Sequence, residues 1–137
     1  MAGSDIFETI VVGMIIGKSD LILNRNTVDN YINLVQWGKA ELVDKLGFAP
    51  PGMTIDQHPI MEFGMLPGSK AAIWAKSEHQ FYKPLKLGSK ISISGKVIDK
   101  YTKRGKNYIV AEFETRDDMG DLLLRSQETG ILIELEK

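Results

Sequence analysis

The first half of the chain carries apolar residues at the spacing of a helix. These residues recur every three or four positions from Val28 onward, which predicts one long helix over 28–46. Thr27 is a suitable N-terminal cap for this helix, and Gly47 is a suitable end. The positions that carry the prediction are Val28, Tyr31, Ile32, Val35, Leu42, Val43 and Leu46.

A second, shorter helix is predicted after a break. Pro50 and Pro51 cannot continue a helix, because proline lacks a backbone donor and fixes φ. Asp56 stands at the next suitable start, and Pro59 is tolerated in a first turn. We therefore expect a short helix over 59–66.

The second half alternates between apolar and polar residues, which is the period of a strand. Turns at 103–106 and 118–121 separate the last three segments, and each places glycine where a positive φ is expected. Helices followed by an antiparallel meander predict an α+β fold with the helices on one face of the sheet. Together with a short strand at 21–23, the predicted strands cover 73–82, 90–101, 108–115 and 122–134, with ends uncertain by ~2–4 residues.

Composition narrows the class of protein. The 137 residues suggest a single domain over 1–137, and 43% hydrophobic with 26% charged residues is typical of a globular chain. A net charge of -1 gives no reason to expect nucleic acid or a membrane surface as a partner. The absence of cysteine excludes disulfides, thiolate catalysis and cysteine-ligated zinc, and it fits a cytoplasmic location. The acidic residues Asp5 and Glu8 argue against a signal peptide.

The segment HQFYKPLKLG over 79–88 is the most specific motif of the chain. It resembles the H-x-F-x-x-P-L-x-x-G-D motif of MaoC-like enoyl-CoA hydratases, with Ser89 in place of the final Asp. The segment LGFAPP over 46–51 resembles the G-x-A-P-P that is found in the N-terminal type of these domains. Further matches at 95–101, 103–106, 118–120 and 125–131 extend the resemblance over nearly the whole chain.

The resemblance implies a hot-dog fold, in which an antiparallel sheet wraps around a central helix. Members of this family add or remove water across the double bond of an acyl chain that is carried as a thioester. The carrier is coenzyme A or acyl carrier protein, which is part of the substrate, and no other cofactor is implied. The active site lies between two hot-dog units, so we expect a homodimer or a heteromer with a second hot-dog unit.

One feature of the catalytic members is missing from this chain. They carry an Asp and a His five positions apart in the motif D-x-N-P-x-H. In this chain, Met53 and Trp74 stand five residues before the two histidines, His58 and His79. Some relatives of the N-terminal type lack the pair and serve as the acyl-binding half of a complex whose partner unit is catalytic. The resemblance therefore leaves open whether this chain is catalytic alone.

There are three candidates for the missing chemistry: the pair of His58 and Asp56, His79, and Glu62. His58 follows Asp56 at the start of the short helix, where the two form a catalytic pair or, alternatively, Asp56 caps the helix and His58 faces solvent. His79 shares a strand face with Phe81 and either faces the acyl site or is a half-buried strand residue. Glu62 on the short helix is the third, since some hot-dog thioesterases use a helical carboxylate against the thioester carbonyl; the alternative is a solvent-facing Glu.

Further residues are candidates for substrate binding, each with an ordinary structural alternative. A cationic hairpin tip would hold the phosphates of coenzyme A, or it is a solvated turn. Gly64 and the backbone amides of the short helix would polarise the thioester carbonyl. Two large apolar side chains would line an acyl tunnel or pack in the core. The cationic residues are Lys103, Arg104 and Lys106, the glycine is Gly64, and the two apolar side chains are Trp37 and Met61. No metal site is predicted.

Three functions follow from these observations. The leading hypothesis is an acyl-thioester hydratase or dehydratase of the MaoC type, either with a substituted acid/base pair or as one unit of a two-unit active site. The second is a non-catalytic acyl-CoA-binding subunit, and the third is a hot-dog thioesterase. Loss of the conjugated thioester absorbance distinguishes the first from the other two, and release of a free thiol identifies the third.

Overall fold

Within the part of the chain that the structure describes, five antiparallel strands form one sheet in the order β1-β3-β4-β5-β2. The computed structural model describes residues 6–64 and 70–134. The strands are β1 (Ile15–Ile22), β2 (Lys70–Phe81), β3 (Lys90–Lys103), β4 (Lys106–Asp117) and β5 (Leu122–Glu134). The helices are α1 (Ile6–Thr9), α2 (Arg25–Val35), α3 (Glu41–Leu46) and α4 (Gln57–Phe63), with a 3₁₀ turn over Met53–Asp56 before the last. The predicted α+β class and antiparallel pairing are confirmed.

The strand that comes last along the chain lies inside the sheet. β5 pairs with β4 on one side and with β2 on the other, while β1 pairs with β3. The two edges of the sheet are therefore β1 and β2. The four strands of the second half begin and end within four residues of their predicted positions, because a half-buried strand leaves a clear period of two in the sequence. β1 is longer than the predicted segment 21–23.

The prediction of one long helix over 28–46 is wrong. The chain forms α2 and α3, which are separated by Gln36 in the left-handed conformation with φ 55°. The N–H of Gln36 bonds to the carbonyl of Ile32 and ends α2. The break turns the chain so that both helices bury their apolar faces in one cluster, which contains Val28 and Ile32 of α2 and Val43 of α3. A straight helix of that length would carry α3 away from this cluster.

The ends of these helices follow the sequence only in part. Asn24, and not Thr27, caps α2, because its side-chain oxygen accepts from the N–H of Thr27 at 2.8 Å. Gly47 ends α3 as predicted, with φ 75° and its N–H bonded to the carbonyl of Val43. α4 begins at Gln57, two residues before the predicted start, and the predicted end at Leu66 lies outside the described residues.

The hydrophobic core fills the face of the sheet that the helices cover. At one end it contains the buried faces of α2 and α3, and at the other end Ile10 packs against Val97 and Ile109. Between these ends, a central cluster of Ile93, Ala111 and Phe113 packs against Met61 of α4. α4 therefore lies across the middle of the sheet, and the candidate site is formed where it meets β4 and β5. Among the helices of residues 6–64 and 70–134, none is long and apolar enough to cross a membrane.

Candidate functional site

The side chains of β5 that point toward α4 include polar ones. Alternate residues of β5 pair with Ile109, Ala111 and Phe113 of β4, which all belong to the core. Because paired residues of neighbouring strands project on the same face, these β5 residues also face the core. They are Ser126, Glu128 and Gly130. Each of the three lies against one of the titratable side chains that the sequence singled out.

His58 forms a buried pair with Glu128. Its Nδ1 lies 2.5 Å from Oε2 of Glu128, and the two side chains are 0% and 3% exposed. With Glu128 ionised, the N–H at Nδ1 donates to the carboxylate and fixes the tautomer of the ring. Nε2 is buried and has no hydrogen-bond partner among the described residues. His58 is thus not the solvent-facing helix residue of the alternative prediction.

The expected pairing of His58 with Asp56 is wrong. Asp56 is exposed, and its side chain makes no capping hydrogen bond to α4. Its charge acts instead on Tyr31, whose pKa is raised first by burial and then by Asp56. The reason is the geometry of a helix, in which residues two positions apart point about 200° apart around the axis and cannot share a face.

The imidazole ring of His58 stacks on the phenyl ring of Phe113. The His58 and Phe113 rings are parallel to within 4°, and their centroids are 4.2 Å apart. On the neighbouring strand, Gly95 pairs with Phe113. A Cβ at Gly95 would lie 2.5 Å from Cε1 of Phe113, so this residue must be glycine for the phenyl ring to occupy its place.

Glu62 lies one turn beyond His58 on α4 and is largely buried. Burial, followed by the negative charge of Glu128, raises the pKa of Glu62 from 4.5 to about 7. Gly130 provides the space for this carboxyl group, because a Cβ there would lie 3.5 Å from Oε1 of Glu62 and 3.3 Å from Cβ of Ala72. The alternative of a solvent-facing Glu62 therefore does not describe this side chain.

A small pocket of about 60 Å³ lies between α4 and the β5–β2 pair. This volume holds a few water molecules, each of which needs roughly 10–15 Å³. Glu62 and Glu128 contribute the charged groups, and His58 is not part of the lining. The remaining walls are apolar or small and include Pro59, Ala72, Trp74 and Gly130. Two carboxylates in different environments thus face one pocket beside the edge strand β2.

The fold of this chain is similar to that of proteins of known structure. No protein-family model matches the chain, and no curated protein matches it by sequence. The hot-dog-like protein from Thermanaerovibrio acidaminovorans is similar in structure, with a TM-score of 0.71 at 13% identity over 95% of this chain and 88% of that one. The chain has a hot-dog fold.

Other solved structures are similar to this one as well. The monoamine oxidase regulatory protein from Archaeoglobus fulgius has a TM-score of 0.75 at 18% identity and covers 96% of this chain and 95% of its own. The HadBC (3R-hydroxyacyl-ACP dehydratase) complex from Mycobacterium tuberculosis has a TM-score of 0.71 at 18% identity, with 88% and 96% covered. (R)-hydratases and a MaoC-like dehydratase are also among the similar structures. The resemblance seen in the sequence is confirmed at the level of the fold.

The second histidine of this hot-dog unit occupies a separate position. Nδ1 of His79 lies 2.6 Å from the hydroxyl oxygen of Ser126, and its ring is tilted by 42° to that of Phe81. His79 is half-buried on the edge strand β2 and does not line the pocket of Glu62. Its catalytic role stays a prediction.

The cationic residues lie at the tip of the β3–β4 hairpin. Lys103 and Lys106 close the hairpin, and Arg104 with φ 53° and Gly105 with φ 76° form its two-residue turn. The three cationic side chains are exposed, and none forms an ion pair within the described parts of the chain. Their contact with a carrier phosphate stays a prediction.

Three further candidates lie away from the pocket. Trp37 packs in the cluster of α2 and α3, so the tryptophan that lines the pocket is Trp74 and not Trp37. Met61 packs on the central cluster of the core. The N–H of Gly64 bonds to the carbonyl of Ile60 at 3.1 Å, so it has no hydrogen left for a substrate oxygen and the expected role of this amide is wrong. The role of the other amides of the short helix stays a prediction. Residues 6–64 and 70–134 contain no cluster of His, Asp and Glu that could hold a metal ion.

Glu128, on which the site depends most, was not among the candidate residues predicted from the sequence. One signal was present: Glu128 falls in the same phase of β5 as Leu124 and Leu132, so the period of two already placed a carboxylate on the buried face. A charged residue at such a position is rare unless it is paired, and it therefore marks a site. Gly95 and Phe113 gave no comparable signal.

Proposed function

We propose that this hot-dog unit is an acyl-thioester hydratase or dehydratase that uses Glu62 and Glu128 as its acid/base pair. The observation that carries the proposal is that two carboxylates face one pocket while their environments differ. Burial and the charge of its neighbour raise the pKa of Glu62 to about 7, whereas Glu128 is held by the imidazole of His58. Paired groups whose environments separate their proton affinities are the usual acid and base of an enzyme.

The proposed reaction moves two protons, one between water and Glu128 and one between Glu62 and the substrate. In hydration, the carboxylate of Glu128 takes a proton from water as the oxygen bonds to the β carbon of the enoyl thioester. The neutral carboxyl of Glu62 gives its proton to the α carbon, and the C=C bond becomes single. Dehydration is the reverse. His58 then acts through Glu128, because the ring does not line the pocket. Positioned groups of this kind contribute typically about 10²–10⁴-fold each.

A second hot-dog unit is part of the proposal. The pocket opens beside β2, which is an edge strand of 12 residues. Ile73 and Trp74 of this strand are 52% and 47% exposed, and long edge strands with exposed apolar side chains are avoided in proteins that stay monomeric. The HadBC dehydratase is itself a complex. We infer a homodimer, or a heteromer with another hot-dog unit, that covers the β2 edge and completes the walls of the pocket.

The carrier is a thioester of coenzyme A or acyl carrier protein, and it is part of the substrate. Lys106 stands three residues from Ile109, which pairs with Gly130 at the pocket. At a strand rise of about 3.4 Å per residue, the cationic tip begins roughly 10 Å from the pocket along β4. Phosphate groups of the carrier would meet Lys103, Arg104 and Lys106 there. The absence of cysteine fits a cytoplasmic enzyme.

Turnover of enoyl-CoA tests the proposal. The purified chain is given crotonyl-CoA and longer enoyl-CoAs, and the absorbance of the conjugated thioester is followed. We expect loss of absorbance, a rate that falls as pH rises through about 7 because Glu62 must be protonated, and a loss of at least about 10²-fold in Glu62→Gln and Glu128→Gln. Glu41→Gln, at an exposed position of α3, is the matched control and retains the parent rate.

Two other outcomes identify the other functions. Glu62 is a carboxylate on the central helix, which favours a thioesterase as the second candidate; release of free thiol without prior hydration would establish it in place of the hydratase. Binding of acyl-CoA without any turnover, also in the presence of a second hot-dog unit, would establish a non-catalytic acyl-CoA-binding subunit instead.

A further inference from the structure

We propose that Gly95 and Phe113 are positioning residues, which hold the imidazole of His58 so that it can hold the carboxylate of Glu128. The inference rests on the proposed function, in which Glu128 is the base. Neither Gly95 nor Phe113 faces the pocket, so neither can touch the substrate. They act through a stack of three layers, which consists of the β3 backbone, the phenyl ring and the imidazole ring.

The lowest layer requires glycine for reasons of space. Gly95 is buried in the middle of β3, and it is not one of the glycines with positive φ. Its backbone conformation is therefore open to any residue, and only the missing side chain matters. A Cβ at this position would lie 2.5 Å and 2.7 Å from Cε1 and Cδ1 of Phe113. Such distances do not occur between carbon atoms that are not bonded, so any larger residue displaces the phenyl ring.

The middle layer, the phenyl ring of Phe113, fixes the plane of the His58 imidazole and its distance from the sheet. The phenyl and imidazole rings are parallel to within 4°, with centroids 4.2 Å apart. The phenyl ring has no hydrogen-bonding atom and cannot compete for Nδ1 of His58. Phe113 is on β4, while Glu128 is on β5 beside it. The stack thus places the imidazole over one strand with its Nδ1 directed at the carboxylate of the next.

The consequence for Glu128 follows from its burial. This carboxylate is 3% exposed, and Nδ1 of His58 is the donor that the structure gives it. A buried carboxylate that loses its donor is costly to keep ionised. Displacement of the imidazole by about 1 Å would lengthen the 2.5 Å contact beyond hydrogen-bonding distance and leave Glu128 without this donor, although both pocket carboxylates are still present. Misplacement of a catalytic group by about 1 Å can cost on the order of 10²-fold in rate.

The test uses three variants and one control. Gly95→Ala pushes the phenyl ring upward, Phe113→Leu removes it, and the double variant relieves the steric clash without restoring the stack. Ile93→Val, in the same core cluster and on the same strand as Gly95, changes packing but not the stack. The folded state of each protein is checked by circular dichroism, and kcat and KM are measured separately.

Imidazole NMR supplies a readout that packing alone would not change. The chain has two histidines, so the spectrum contains His58 and one internal reference, His79. In the parent protein we expect His58 to show a single tautomer with a protected proton on Nδ1. Gly95→Ala and Phe113→Leu should lose this signal and lower kcat on the order of 10²-fold with little change in KM. The signals of His79 and the behaviour of Ile93→Val should match the parent.

The double variant separates positioning from packing. Compared with Gly95→Ala alone, it should recover stability because the clash with the phenyl ring is gone. It should not recover the His58 signal or kcat, because the stack is still missing. If Gly95→Ala does not fold, Phe113→Leu carries the test. A folded Phe113→Leu variant with an unchanged His58 tautomer would overturn the inference. An inactive parent with an intact Nδ1 signal would instead overturn the proposed function, and the NMR comparison would still decide the positioning role.

Discussion

Glu62 makes the stability of this protein depend on pH in a direction that can be worked out from the structure. Its pKa is raised to about 7 in the folded state, against 4.5 for an unperturbed carboxyl. Between these two values, the folded protein holds a proton that the unfolded chain has released. Stability therefore falls as pH rises from about 4.5 to about 7, and the loss is complete above that range. Replacement of Glu62 by glutamine removes this titration.

The magnitude follows from the shift. One pKa unit corresponds to about 1.4 kcal/mol, so the charged Glu62 costs the folded state roughly 3 kcal/mol at pH 8. At pH 5, where the folded protein keeps the carboxyl neutral, the cost is small. We therefore expect Glu62→Gln to be close to the parent in stability at pH 5 and more stable by up to roughly 3 kcal/mol at pH 8. The same substitution should abolish turnover, because glutamine cannot donate the proton that Glu62 supplies. The burial that makes the charged Glu62 costly to stability is also what prepares it for the acid role.

Urea unfolding at pH 5, 6.5 and 8 measures this difference. The protomer concentration is held constant, because association changes the apparent stability. Any cost of the amide that does not depend on pH cancels when the variant is compared with itself across the series. Glu41→Gln, on the exposed surface of α3, should track the parent at each pH. If the stability difference between Glu62→Gln and the parent stays constant within about 0.5 kcal/mol from pH 5 to pH 8, the reasoning about Glu62 is wrong.

Three other predictions concern the pair, the carrier and the assembly. His58→Leu leaves Glu128 buried without its donor and should cost about 3–5 kcal/mol in urea unfolding, whereas His58→Leu combined with Glu128→Leu should cost less; simple addition of the two single losses would argue against the pair. Serine in place of Lys103, Arg104 and Lys106 should weaken coenzyme A binding and reduce its salt dependence in calorimetry, and an unchanged affinity would remove these residues from the site. Light scattering at micromolar concentration should give a multiple of 15.3 kDa; a stable monomer would refute the assembly.

The sheet was easier to predict from the sequence than the helices. Strands of the second half show a period of two, and burial on one face enforces it over 12 to 14 residues. The break between α2 and α3 has no such mark. Apolar spacing continues across it, and the residue in the left-handed conformation is Gln36, which has no side-chain preference for that state. Packing of both helices into one cluster decides the break, and that information is not local.

The sequence predicted two titratable residues of the site, but it did not predict which residues they contact. His58 and Glu62 were both singled out, because imidazole and carboxyl groups on a central helix are the natural carriers of acid/base chemistry. Their environment comes from β5, and Glu128 is 70 positions away from His58. Spacing along the chain cannot reveal such a pair. The pKa of Glu62 likewise depends on the charge of Glu128, which only the register of β5 brings near it.

The place of β5 inside the sheet has a consequence for biosynthesis. Among the described strands, β2 pairs with β5 alone, and about 40 residues separate the end of β2 from the start of β5. At roughly 5–20 residues per second, a ribosome leaves β2 without its neighbour for about 2–8 seconds. During this interval Ile73, Trp74 and Phe81 belong to a strand that has no sheet to join. The nascent chain is therefore most exposed to aggregation, and most dependent on chaperones, in the time before β5 emerges and pairs with β2.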